Sequence, residues 1–456
     1  MASPTLPRPS KSRFLSATYL LPLLLTAVYL VLIGCSALFY EDRVFYSDSA
    51  YYLFQIIQKG GFHVEHGRYG AIPGQLLPLL GVKAGLGIGT VALLYSVSVP
   101  LLTGLWSLWV YLRKRSHAAT YIAALLLVQV LFTRHGWFWP VGEMMQALLL
   151  MGIGFFYLRQ KPVFLPFAVA AFVLALLCHP SAGPVTVALL LSQAGKKHRW
   201  RNMAAALFCI LLFVLLPRSG YEKEKMSAFL DMDHILHSAF WNYLLNSLPK
   251  VYAAGLPLVV YTLYVRRRDL LFWVISLGFS VGWIVLCAAS EHTGNSAVLL
   301  ENAMLPVGAF WIFSAAALSP PDIYTVPFVS AASGLFLVYV LLLQHRTYGP
   351  NTALRKRLLH EWTTAHPHAD SFRVNDTRRL VADDKIMRNR LPVEFLLQSA
   401  KDADGQVVFL VPDAYAGPDP QTVYPGDGLP TLTRGELNPA YFRAVPTAGP
   451  YIRIAD

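Results

Sequence analysis

The stretch ATYLLPLLLTAVYLVLIGCSALF (residues 17–39) contains no charged side chain. A helix that crosses a bilayer needs about 20 predominantly apolar residues, so this stretch predicts a membrane span. No small-residue cleavage site follows it, and we interpret it as a retained span rather than a secretory signal. The composition agrees, because 55% of the 456 residues are hydrophobic, only 14% are charged and the mean hydropathy is +0.46.

Apolar runs without lysine or arginine recur along the chain and predict about eleven spans. They lie at 17–39, 88–111, 118–133, 143–158, 163–178, 183–194, 202–217, 251–265, 270–289, 297–318 and 323–344. Several are too short for a simple crossing, which favours short, tilted or hairpin-forming helices. No disulfide framework is implied, because all four cysteines lie within or at the ends of apolar runs. The predicted fold is an all-α polytopic membrane protein.

Lysine and arginine are distributed unequally between the loops on the two sides of the predicted spans. One set of loops, which includes RKR at 113–115 and RRR at 266–268, is much the more basic. The positive-inside rule makes that set cytoplasmic, together with the N-terminus, in the inner cell membrane. An odd number of spans then puts the tail outside, in the periplasm or extracellular space. The net charge of +12 follows from this topology, so no nucleic-acid partner is predicted.

Two parts of the chain differ in composition. Residues 1–344 form the predicted transmembrane domain, with a long first outer loop at 40–87, and residues 345–456 form a C-terminal extracytoplasmic domain. In this tail, NTALRKRLLHEW (351–362) and PVEFLLQSA (392–400) predict helices, and GQVVFLVPD (405–413) predicts a buried strand. The tail is long enough for a small α/β domain.

The first outer loop contains YSDSAYY (46–52), which places Asp48 among aromatic and small residues. Residues 49–58 predict a helix along the membrane surface with three aromatic side chains at the interface: Tyr51, Tyr52 and Phe54. Ser47 or Asp48 could cap this helix, since both side chains accept backbone N–H bonds. Alternatively, Asp48 is a catalytic base at the membrane surface, with Glu41 and Asp42 as the fallback acids.

Other polar groups on the outer side are candidates for binding a substrate. Arg68 lies between two glycines in HGRYG (66–70), where the backbone could approach an anion closely. TRHGWFWPVGE (133–143) combines Arg134 and His135 with tryptophans typical of an interfacial belt. Its Glu143 enters a span, where a carboxylate needs a partner or a water-filled cavity.

The remaining candidates occur at turns. His179 lies in CHPSAGP (178–184), where prolines and a glycine are enough to explain a hairpin. Glu291 and His292 could serve as an acid or a base, or simply solvate a turn. Asp231 and Asp233 match a short metal-binding pattern of paired aspartates, which makes them weak candidates for a divalent cation.

The layout resembles the GT-C superfamily of integral-membrane glycosyltransferases over nearly the whole chain. The resemblance lies in the inside N-terminus, the acidic first outer loop with its surface helix, the short hairpins and the outer C-terminal domain. It implies a polyprenyl-phosphate-linked sugar donor, a glycan, lipid or protein acceptor, and a catalytic acid at Asp48. The family characteristically carries one or two acids in this loop, and here SDS replaces a pair of adjacent acids, which leaves a metal requirement open.

The chemistry of glycosyl transfer agrees with that assignment. An acceptor hydroxyl needs a base beside it, and the departing phosphate needs nearby cations. Direct displacement would invert the anomeric centre. Two other classes stay open: a lipid-linked polysaccharide polymerase or ligase, and a polytopic transporter or flippase. The polymerase or ligase would place its key arginines in a late outer loop, and the transporter would show related halves.

Overall fold

The computed structural model is predominantly helical, with short strands near the C-terminal end of the chain, as the sequence predicts. It describes residues 11–132, 140, 142–193, 199–216, 232–238, 240–241, 259–260, 262–267, 269–290, 305–318, 325–374, 376–382, 388, 390–402, 407–412, 422–426, 430–443 and 452–454.

The helices of this described part follow the apolar runs of the sequence. They are α1 (Lys11–Leu38), α2 (Tyr40–Val44), α3 (Ser47–Lys59), α4 (Ile72–Lys83), α5 (Ile88–Phe132), α6 (Glu143–Leu158), α7 (Leu165–Cys178), α8 (Ala182–Ser192), α9 (Arg199–Leu215), α10 (Met232–His237), α11 (Leu270–Ser290), α12 (Leu305–Leu318), α13 (Thr325–Ala365) and α14 (Leu391–Asp402). Every predicted run except 251–265 overlaps one of them, and most of 251–265 lies outside the described residues.

Helix α5 continues through the basic segment at 113–115, where the sequence predicts a reversal between two spans. Ser107 and Gln129 nevertheless both donate to the hydroxyl of Tyr29, at 3.1 and 3.4 Å. In a straight helix these two residues would be about 33 Å apart, at 1.5 Å per residue. The helix must therefore bend back sharply between them, so the predicted reversal occurs without an interruption of helical structure.

Within the described part of the chain, two helices are long and apolar enough to cross a membrane: Ile88–Leu112 within α5 and Leu270–Ala288 within α11. Only 22% of the apolar stretch of α11 is buried inside the protein. Its outward side chains include Leu270 and Val274, which are 77% and 61% exposed. An apolar surface of this kind is typical of contact with lipid or another protein. The other apolar helices are shorter, so the figure of about eleven spans stays a prediction.

Helices α1 and α13 run parallel to each other. Gly334 of α13 packs against Val28 of α1, and a Cβ atom at that glycine would collide with the valine side chain. Eleven residues farther along each segment, the ring of His345 in α13 stacks on Phe39, which directly follows α1, with ring centroids 4.2 Å apart. The C-terminal ends of both helices therefore lie at the same end of the molecule, where the first outer loop and the tail meet.

The tail contains a small parallel sheet, to which the strand predicted within 405–413 contributes β2. Its strands are β1 (Ser371–Val374), β2 (Phe409–Pro412) and β5 (Ile452–Ile454), with β1 in the centre, and β3 (Thr422–Val423) pairs antiparallel with β4 (Leu432–Thr433). Helix α14 connects β1 to β2 in a β-α-β arrangement. Arg434 and Asp370 form a buried double hydrogen bond at 2.6 and 3.1 Å beside β1.

The tail and the first outer loop share a hydrophobic core. Tyr51, Tyr52 and Phe54 are at most 4% exposed and pack among apolar side chains of the tail and α5. Phe54 lies beside Phe442, with ring centroids 5.7 Å apart. The prediction that these aromatic residues face the membrane interface is therefore wrong. Their periodicity identifies an apolar face but cannot distinguish a lipid partner from a protein partner. The predicted boundary at residue 345 falls inside α13.

Candidate functional site

The start of α3 is held by the tail rather than by a side chain of its own. Ser47 has a positive φ of 48°, an uncommon conformation for this residue type. Its backbone N–H donates to Glu394 Oε1 at 2.8 Å. Asp48 is not used as a cap, because its carboxylate faces Arg390. The capping interpretation of Asp48 therefore does not describe this helix, whose first N–H finds its acceptor 347 positions away.

Asp48 and Arg390 form an ion pair at the edge of the shared core. Arg390 Nε lies 3.2 Å from Asp48 Oδ1. The aspartate side chain is 50% exposed, whereas that of Arg390 is 13% exposed. The guanidinium also lies over the ring of Tyr51, 5.5 Å from its centroid. The Asp48 carboxylate is therefore accessible from solvent and could accept a hydrogen bond from a hydroxyl group.

The two fallback acids of the first outer loop are occupied by the tail. Glu41 lies 2.5 Å from Lys356 Nζ and 2.8 Å from Lys401 Nζ. Asp42 Oδ2 lies 2.6 Å from His345 Nδ1, and its side chain is only 7% exposed. Both carboxylates therefore serve to attach α2 to α13 and α14. Asp48 is the most accessible of the three acids.

Glu143 begins α6 and is paired on both of its oxygens. The hydroxyl of Tyr52 donates to Oε1 at 2.5 Å, and Arg68 forms a short ion pair with Oε2. The carboxylate is 10% exposed, and it lies in the first turn of α6, where a negative charge is favourable. Burial raises the pKa of the Tyr52 hydroxyl, and the neighbouring Glu143 charge adds to that shift. The partner that the sequence requires for Glu143 is thus Arg68, together with Tyr52.

The turn that carries Arg68 packs tightly on the end of α7. A Cβ atom at Gly70 would collide with the carbonyl oxygen of Leu174 and with Cys178, so only glycine fits at this position. Cys178 donates its thiol to the carbonyl of Glu143 at 3.2 Å. These contacts bring the loop, α6 and α7 together around the Arg68–Glu143 pair.

His179 follows α7 directly, at the predicted reversal before α8. Its Nδ1 is hydrogen-bonded to the hydroxyl of Ser181 and accepts the N–H of the same residue at 3.2 Å. Burial lowers the pKa of His179, and the charge of Arg68 lowers it further. A neutral imidazole beside Arg68 adds no positive charge there, so in the described part of the chain the guanidinium supplies the positive charge next to Glu143.

His63 and Glu65 belong to the same cluster, although the sequence did not single them out. The side-chain amide of Gln75 clamps the backbone of His63 through bonds of 2.8 and 2.7 Å. The imidazole packs edge-on against Tyr51 and Tyr52, and within the described part of the chain its buried ring nitrogens have no hydrogen-bond partner. Nε2 lies 4.0 Å from the Glu65 carboxylate.

Glu65 interacts electrostatically with members of both ion pairs, Asp48–Arg390 and Arg68–Glu143, so these groups form one cluster. Burial raises the pKa of Glu65, and the charge of Asp48 raises it further, while Arg390 and Arg68 oppose the shift. Burial also lowers the pKa of His63 to about 4, with a smaller effect from Lys59. Perturbed acids and bases gathered at one exposed edge are typical of a functional site.

The remaining predicted site residues fall outside the described structure. These are Arg134, His135, Asp231, Glu291 and His292; Asp233 lies in α10, but its side chain is not described.

Among the described residues, no group of three or more His, Cys, Asp or Glu side chains could hold a metal ion. Asp48 itself does not fit a metal site, because its neighbour is the cationic Arg390. The metal prediction therefore has no support around this carboxylate.

Comparisons with protein-family models, with curated proteins and with solved structures found no match to this chain.

Proposed function

We propose that this chain is a polytopic membrane glycosyltransferase that takes a sugar from a polyprenyl-phosphate donor on the outer face of the inner cell membrane. The N-terminus is cytoplasmic and the tail is extracytoplasmic in this proposal. The acceptor is a glycan, a lipid or a protein that carries a free hydroxyl.

The membrane part of the proposal is supported by the outward apolar surfaces of α1, α5, α9 and α11. They include Leu30, Leu112, Leu215 and Leu270, each more than 60% exposed. The parallel course of α1 and α13 also agrees with an odd number of spans, because both helices would then cross from inside to outside. The first outer loop and the tail would meet at the outer surface.

One observation carries the chemical part: the half-exposed carboxylate of Asp48 beside the guanidinium of Arg390. In the proposed reaction the acceptor oxygen bonds to the anomeric carbon while the bond from that carbon to the phosphate oxygen breaks. Asp48 takes the hydroxyl proton, and the lipid phosphate leaves as an anion. One displacement inverts the anomeric centre, and no general acid is needed for an ionised phosphate.

The test is an assay of the purified full chain in nanodiscs with a panel of radiolabelled polyprenyl-phosphate sugars and a mixture of cell-envelope acceptors. We expect label to move to an acceptor with release of polyprenyl phosphate, and Asp48→Asn to abolish most of the transfer. Polymerisation of a lipid-linked glycan without use of a monosaccharide donor would favour a polymerase instead. Loss of the donor from one leaflet without bond cleavage would favour a flippase.

Orientation has its own test. A reporter that is active only outside the cytoplasm should be active when fused after Asp456 and inactive when fused after Arg115. The opposite pattern would overturn the topology and the outer-face position of the site.

A further inference from the structure

Arg390 is a tail residue that reaches into the first outer loop. It directly precedes α14, and its carbonyl oxygen accepts the N–H groups of Val393 and Glu394, both at 3.1 Å. Four positions later, Glu394 binds the backbone N–H of Ser47 and the guanidinium of Arg355. The backbone of Arg390 is therefore held firmly against the start of α3, where Asp48 lies.

The side chain of Arg390 contacts both a carboxylate and an aromatic ring of α3. Its Nε contacts Asp48 at 3.2 Å, and its guanidinium carbon lies over Tyr51 at 5.5 Å from the ring centroid. The carboxylate partner is 50% exposed, so an external anion can compete for the guanidinium. Carboxylates and phosphates suit the planar donor group of arginine equally well in geometry.

We propose that Arg390 binds the phosphate of the lipid-linked donor, and that the bound phosphate displaces Asp48 from the guanidinium. This inference rests on the proposed function. The phosphate bridge of such a donor carries one negative charge, so the exchange replaces one anion by another beside the same cation. Asp48 is then released from the guanidinium, and its half-exposed carboxylate can turn toward the acceptor hydroxyl whose proton it takes in the proposed reaction.

Arg68 is less suited than Arg390 to bind the phosphate of the donor. Its partner Glu143 is only 10% exposed and also holds Tyr52. Displacing Glu143 would leave a carboxylate buried, which is costly, whereas the released Asp48 is solvated. The exchange is thus favoured at Arg390, and Arg68 remains a neighbouring cation that raises the local positive potential.

Competition makes the proposal distinguishable from a purely structural ion pair. If Asp48 competes with the phosphate, removing its charge strengthens phosphate binding, whereas removing Arg390 weakens it. If the pair only fixes the loop, both substitutions disturb the same site and shift phosphate binding in the same direction. The opposite signs are the feature that structural damage does not produce.

The experiment measures binding of farnesyl phosphate, a short prenyl phosphate, to the full chain in zwitterionic nanodiscs by isothermal titration calorimetry. We expect Arg390→Gln to weaken binding by about tenfold or more and Asp48→Asn to tighten it severalfold. Arg390→Lys, which keeps the charge, should fall between wild type and Arg390→Gln. Arg357→Gln, at an exposed ion pair within α13, is the matched control and should bind like the wild type.

Further arms identify the source of the phosphate. Farnesol tests the prenyl chain alone, inorganic phosphate tests the anion alone, and vesicles containing an anionic phospholipid test a membrane headgroup. We expect only farnesyl phosphate to show both opposite effects. Equal binding by all variants, or weakening by both Asp48→Asn and Arg390→Gln, would overturn the assignment. Retained competition in a protein that transfers no sugar would reject the proposed reaction while leaving the phosphate site in place.

Discussion

Two ion pairs made by the segment 390–394 hold the start of α3, and they differ in their access to water. Arg355 and Glu394 lie 2.9 Å apart and are 1% and 0% exposed. Arg390 and Asp48 lie 3.2 Å apart and are 13% and 50% exposed. Burial raises the pKa of Glu394, which reflects the cost of removing this carboxylate from water. The buried pair joins α13, α14 and α3, whereas the other pair opens to solvent.

The comparison separates a structural pair from one that can change partners. A buried charge that loses its partner is strongly destabilising, so Arg355 and Glu394 are tied to each other. In the second pair the Asp48 carboxylate is half exposed, so water can solvate it and its separation from Arg390 costs less. The same tail segment can therefore fix the loop through Glu394 and present an exchangeable cation through Arg390.

The largest expected effect is on stability, for Glu394→Ala. The substitution leaves Arg355 buried without its carboxylate and removes the acceptor of the Ser47 N–H, which should lower the free energy of unfolding by about 3–5 kcal/mol. Thermal unfolding in detergent, followed by intrinsic fluorescence, measures the change. The control is Glu361→Ala, which removes an exposed ion pair of α13, the helix that also carries Arg355. It should change the free energy of unfolding by about 0.5 kcal/mol or less. Equal stability of both variants would remove the distinction between the two pairs.

Asp48→Asn is expected to have the next largest effect, this time on rate. Asparagine cannot accept the proton, so transfer should fall by about 100-fold or more, equivalent to about 2.7 kcal/mol. Because the Asp48 carboxylate is half exposed, the substitution should shift the free energy of unfolding by about 1 kcal/mol or less. Initial rates with a saturating donor, together with thermal unfolding of the same sample, separate the two outcomes. Turnover within a fewfold of wild type would move the search for the base to Glu65.

Glu143→Gln tests a pair of intermediate exposure. The amide keeps the shape but weakens the charge-assisted bond from Arg68, so activity should fall by about tenfold while expression stays near normal. Tyr52→Phe, which removes one neutral donor and keeps the charge pair, should lose less activity. Wild-type turnover by Glu143→Gln would show that the Arg68–Glu143 pair only supports the fold.

The smallest expected effect is that of Glu41→Gln. Burial alone would raise the pKa of Glu41, but hydrogen bonds from Lys356 and Lys401 outweigh it and lower that pKa to about 2. A lowered carboxyl pKa stabilises the folded state above the ordinary value of 4.5, and this stabilisation is lost as the pH falls toward 2. We expect Glu41→Gln to cost about 1 kcal/mol or less near neutral pH. The difference in unfolding temperature between the variant and wild type should shrink below pH 4.5. A difference that stays constant down to pH 3 would show that Glu41 is not stabilised by its lysines.

Local patterns were sufficient for the elements around the site. Helix α3 begins and ends within two residues of the predicted 49–58, because its apolar positions recur at helical spacing and Gly60 adopts the left-handed conformation that ends a helix. Helix α14 and strand β2 also lie where PVEFLLQSA and GQVVFLVPD predict them. These signals need only neighbouring residues, so a single sequence contains them.

Local sequence patterns do not predict which residues the charged side chains pair with. The place of Asp48 in the first outer loop indicates it as the candidate acid. Its contact with Arg390 joins residues 342 positions apart, and nothing in either local pattern indicates the other. The amphipathic pattern around Tyr51 and Tyr52 predicts a membrane interface wrongly, because such a pattern does not identify what covers its apolar face. Composition and periodicity depend on the chain alone, whereas ion pairing and burial depend on distances that exist only after α13 has brought the tail back onto the first outer loop.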